Sequence, residues 1–188
     1  MDNSQLEQAR RRARIWRSTM PDEDLGQQRE QEQVLLNAAA QGNLVAVQEL
    51  LADGVDANAI SEAGRTALIV AAWRGHYKVL QTLVAAGVDM DAAYHEGRTA
   101  LSWAAINGYS QVAQLLLREK VVVEVRDTSG LTPLIRAGWN GHEEIVKALI
   151  AQQADVNAAD KRGVTALQRA RAGNETAIIA HLRAAGAR

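Results

Sequence analysis

Gly64, Gly97, Gly130 and Gly163 are 33 residues apart, and so are Thr66, Thr99, Thr132 and Thr165, and Leu68, Leu101, Leu134 and Leu167. An interval held at several positions means one small unit used repeatedly. No such unit can bury its own apolar face, so each must stack on the next. Residues 61–93, 94–126 and 127–159 are full units, 28–60 an N-terminal capping unit and 160–188 a shorter C-terminal one. Residues 1–27 lie outside the register and read as a basic amphipathic helix followed by an acidic connector.

Within a unit the residues predict two helices. Thr66 and its equivalents are placed to N-cap the first, and Pro133 follows Thr132 where a missing N–H costs nothing. That helix is expected to end at Gly42, Gly75, Gly108 and Gly141. In the last unit Asn174 stands there, the other residue that tolerates a left-handed backbone. The second helix carries apolar residues at helical spacing: Val79, Leu80, Leu83 and Val84; Val112, Leu116 and Leu117; Ile145, Val146, Leu149 and Ile150. The glycine of each G-x-T element falls in the turn between units.

The interval and the TAL or TPL element resemble the ankyrin-repeat family, over roughly residues 28–188. The resemblance implies an all-α repeat solenoid of stacked helix pairs, with β-hairpin or turn fingers along one edge. The family's signature histidine is replaced by Ile69, Ser102, Ile135 and Gln168. A second departure is REKVVVEVRD, where Lys120 stands in place of a helix-ending glycine and Val121 to Val125 favour a stiffer, β-prone finger. Arg169, Arg171, His181 and Arg183 give the last unit the polar outer face of a cap.

Composition narrows the function. The chain has no cysteine, which excludes disulfides, thiolate metal sites and a cysteine nucleophile, and fits a cytoplasmic protein. A formal net charge of -1 gives no global pull toward nucleic acid or anionic lipid. No apolar run reaches the length of a membrane span. Phenylalanine is absent and alanine, leucine and valine dominate the apolar residues, so each tryptophan needs its own explanation.

In the N-terminal arm, Leu6, Ala9, Ala13, Trp16 and Met20 form one helical stripe beside the run RRRARIWR, Pro21 ends the helix, and Asp22, Glu23 and Asp24 suit the first turn of another. Docking of the Trp16 stripe on the first unit is the expected role. A nucleic-acid-binding or adaptor function through the arginines is the alternative.

The resemblance implies that partners meet the last residues of each first helix and the finger tips. Those positions hold Trp73, Ile106 and Trp139, then Arg74, Asn107 and Asn140, and one helical turn earlier Trp103, Arg136 and Arg169. The fingers add Arg65, Tyr94, His95, Glu96, Arg98, Leu131, Lys161 and Arg162. Trp73, Trp103 and Trp139 are expected to share one groove with Ile106, ringed by arginines. Tryptophan, tyrosine and arginine are the types most enriched at binding hot spots. The basic excess predicts a partner protein with an acidic surface.

No catalytic constellation is visible. His76 and His142 fall where the fold needs them structurally, His95 and His181 lack a partner at metal-ligand spacing, and Asp56, Asp89 and Asp155 read as turn formers. The expectation is a non-enzymatic protein-binding module without cofactor or metal, acting by inhibiting, masking or assembling its partner, as an immunity- or inhibitor-type protein does.

Overall fold

The computed structural model describes residues 22–94 and 96–188, with backbone only for residues 22 and 23. Trp16, the RRRARIWR run and His95 therefore lie outside the described residues. Ten helices form five successive pairs among them. The first helices are α1 (Asp22–Gln41), α3 (Ala67–Arg74), α5 (Ala100–Asn107), α7 (Pro133–Trp139) and α9 (Ala166–Ala172). The second are α2 (Leu44–Ala52), α4 (Tyr77–Ala85), α6 (Ser110–Arg118), α8 (Glu143–Ala151) and α10 (Thr176–Ala184).

Each first helix packs on the next first helix and each second on the next second, with closer approach along the first row. That row is alanine-rich: Ala39, Ala71, Ala72, Ala104, Ala105, Ala137 and Ala170 are fully buried. Small side chains let the backbones close in, and the leucines and isoleucines of both rows fill the continuous core between them.

The capping expectations hold. The hydroxyls of Thr66, Thr99, Thr132 and Thr165 accept the N–H three residues on, at 3.3 to 3.4 Å. Gln168, one of the replacements for the signature histidine, completes a capping box by accepting the Thr165 N–H at 2.8 Å. Ile69 and Ile135, two others, are buried in the stack instead. Asn174 adopts φ 56° in place of the glycine. At the end of the second helices Lys120 and Gln153 have φ 58° and 62°, where Gly54, Gly87 and Gly186 stand in other units. Gly108 shows what the tight first-helix turn demands: φ is 78°, and a Cβ there would lie 2.6 Å from the His142 ring.

Neighbouring units are tied by a ladder of side chains. Asn58 Oδ1, Asp91 Oδ1, Glu124 Oε1 and Asn157 Oδ1 accept the N–H of Asp89, Val122, Asp155 and Arg188, each 31 residues on, at 2.7 to 3.0 Å. Asp56, Asp89 and Asp155 close turns on the N–H two residues ahead, as expected of turn formers. His76 Nε2 donates to the Ala40 carbonyl at 3.0 Å and His142 Nε2 to that of Ile106 at 3.1 Å.

Of the two finger forms that the resemblance allows, the structure takes the turn. Among the described residues the loops carry only two single antiparallel bridges, Tyr94 with Arg98 and Ala159 with Thr165, so the fingers are tight turns without hairpin strands. The valine run forms no strand: Val121 is buried, Val122 exposed, and the chain turns at residues 123 and 124. Its β propensity is overridden because the run closes α6 and supplies Glu124 to the ladder. At the N-terminal end α1 runs unbroken through residues 27 and 28.

Candidate partner-binding site

Ala71 and Ala72 are fully buried against the neighbouring units, so α3 is pinned and its last residues, Trp73 and Arg74, emerge from the stack. Ile69 lies one turn before Trp73 on the same face. From the next unit α5 presents Trp103, whose ring centroid is 5.7 Å from that of Trp73 at a 45° tilt. The Arg65 guanidinium lies 5.5 Å from the Trp73 ring centre and 5.2 Å from that of Tyr94. Arg74 covers Trp73 at 4.7 Å. Arg65, Ile69, Trp73, Tyr94 and Trp103 line a cleft of about 110 Å³. Its walls are mainly ring carbon and aliphatic stem, and it adjoins a second hollow of about 310 Å³ that Arg65 also lines.

The remaining residues named from the sequence are arranged otherwise. Trp139 makes no ring contact with Trp73 or Trp103 among the described residues; it is 45% exposed and stacks on the Arg169 guanidinium at 3.9 Å. Trp139 does not line the Trp73–Trp103 cleft. Leu131 is buried in the core and cannot meet a partner. Asn107 Nδ2 donates to the Trp73 carbonyl and Asn140 Nδ2 to that of Ile106, both at 2.9 Å, so both amides, and the Ile106 carbonyl, serve unit stacking.

The expected basic ring is largely neutralised within the chain. Asp127, its side chain 3% exposed, pairs with Arg136 and lies 3.8 Å from Arg98, which also pairs with Glu96. Asp160, equally buried, pairs with Arg169 at 2.9 Å. Burial opposes the charge on Asp127, but the Arg136 hydrogen bond and the N–H groups of Leu131 and Ser129 outweigh it and hold the carboxyl below its usual range. Asp160 is lowered in the same way against burial, by the Val164 N–H, by Arg169 and by the Arg162 N–H. Of the arginines expected to form that ring, Arg65 and Arg74 are therefore the two left without an ion pair among the described residues.

Asp127 and Asp160 were missed in the sequence, although their signal was there. Each stands nine residues before the arginine it holds, and the two pairs are one repeat apart. In the preceding unit the same two positions hold Tyr94 and Trp103.

Stacked helix pairs joined by tight turns, with a partly buried aromatic cluster on the first-helix face, define a helical repeat solenoid. A family model described as ankyrin repeats, with three copies, matches residues 14–94, 86–160 and 123–187. The chain belongs to the ankyrin-repeat family. Comparison with curated proteins returned no match. Ankyrin repeats are generally protein–protein interaction modules and are typically non-catalytic. Among the described residues no group of three or more histidine, aspartate or glutamate side chains is placed to hold a metal ion, and no helix is long and apolar enough to cross a membrane.

Proposed function

We propose that the chain binds a partner protein on its first-helix face, with the Trp73–Trp103 pair as the anchor, and acts by occluding or assembling that partner. The supporting observation is the cluster itself. Two tryptophans 5.7 Å apart stay only partly buried where they line an apolar cleft, although the alanines beneath them are already fully covered. Indoles that served only the stack would be buried with those alanines. A rigid aromatic pair beside arginine is the composition of a binding hot spot.

Occlusion, as an inhibitor or immunity protein achieves it, predicts that the partner loses an activity in the complex. Assembly predicts that it gains a neighbour and keeps its activity. The test is affinity capture from native lysate with the intact chain and with a Trp73→Ala, Trp103→Ala variant whose fold is checked by circular dichroism. A protein retained by the first and lost by the second is the expected result, and assay of that protein with and without the chain separates occlusion from assembly. Equal capture by both would contradict the reading.

A further inference from the structure

The units differ in one repeated device. At positions 127 and 136, and again at 160 and 169, an aspartate in the turn holds an arginine on the first helix. At 94 and 103 both residues are aromatic, Tyr94 and Trp103. The substitution changes the surroundings of the arginine that follows the finger glycine of the preceding unit. Arg98, after Gly97, has the Asp127 carboxylate 3.8 Å away in the next unit. Arg65 occupies the same register after Gly64, but the next unit offers it the face of Tyr94 at 5.2 Å. The chain itself thus shows what satisfies an arginine at this register, and at Arg65 that carboxylate is replaced by a ring beside an apolar cleft.

We infer that the cleft between Trp73, Trp103 and Tyr94 takes one apolar side chain of a partner segment, and that a carboxylate next to that side chain pairs with Arg65, doing there what Asp127 does for Arg98. This deepens the proposed function and rests on it. The cleft, at about 110 Å³, suits a single leucine- or methionine-sized group. Arg74, exposed and free of ion pairs among the described residues, extends the attraction to a second acidic residue of the segment. Arg98, Arg136 and Arg169 take no part, because Asp127 and Asp160 already neutralise them. The partner class is a short acidic segment with an apolar anchor.

The test is selection of a phage-displayed random dodecapeptide library on the immobilised full chain. Enriched peptides are then synthesised and titrated against four folded variants. Enrichment of leucine or methionine within two positions of aspartate or glutamate is expected. Affinity should fall at least tenfold with Arg65→Ala and with Trp103→Ala, and stay within twofold with Trp139→Ala. The fourth variant, Tyr94→Asp with Trp103→Arg, installs the chain's own aspartate–arginine device; it should fold as well as the parent and lose the peptides. Peptides without acidic residues, undiminished binding to that fourth variant, or no enrichment at all would overturn the inference. Peptides or captured proteins lost on Trp139→Ala alone would overturn it while leaving a protein-binding function intact at the other aromatic site.

Discussion

Asp127 shows how one side chain sets what the surface offers. Its carboxylate accepts the N–H of Ser129 at 2.9 Å and of Leu131 at 3.0 Å and also holds Arg136, so it closes a turn and neutralises a neighbour at once. Replacing it by asparagine leaves the partly buried Arg136 without its counter-charge, and a loss of about 2 kcal/mol is expected, read from urea denaturation. Both Asp127 and Asp160 have folded-state pKa values below the unfolded ones. Their contribution is fully present above the unfolded carboxylate value of about 4 and disappears as pH falls below it through the folded values. Stability measured between pH 6 and pH 2 should drop over that acid range, and the drop should be smaller in an Asp127→Asn, Asp160→Asn variant. An equal drop would mean that other carboxylates carry the acid sensitivity. Lys120 gives the opposite case. A non-glycine residue at φ 58° carries a backbone penalty of about 1 kcal/mol. Lys120→Gly should therefore raise the denaturation midpoint modestly, the gain being reduced by the greater freedom of glycine in the unfolded chain.

At the scale of elements, what was legible in the sequence is what repeats. The threonine caps, the left-handed turns, even Asn174, and the apolar faces follow from local chemistry that recurs every 33 residues. The candidate site was only half legible. Trp73, Trp103, Arg65 and Tyr94 do converge, but Trp139 does not line their cleft and Leu131 is buried. The reason is that single rows were read down the stack, while the site depends on pairs of rows: the turn residue at 94, 127 or 160 decides what the helix residue nine positions later is free to do. The same blind spot made the arginines look like a free basic ring. Arg136→Glu should weaken folding by leaving Asp127 facing a like charge, whereas Arg74→Glu should leave the denaturation midpoint within about 0.5 kcal/mol and weaken partner binding alone. Comparing the two in denaturation and in capture separates structural from binding arginines.

In the whole molecule the main helix–helix packing among the described residues is within a unit or between adjacent units, so stability is approximately a sum of unit and interface contributions. The side-chain ladder from Asn58 through Asp91 and Glu124 to Asn157 makes those interfaces polar as well as apolar. The central claim is that one end of the first-helix face, around Trp73 and Trp103, meets a protein partner. The most direct measurement is site-specific photo-crosslinking in the native lysate. A photoreactive phenylalanine derivative is placed at Glu62, exposed beside Arg65, and in a separate chain at Gln81, exposed on the second helix α4. A crosslinked protein seen from position 62 and absent from position 81 is the result expected. Crosslinking from position 81 alone would place the partner on the opposite face and contradict the account.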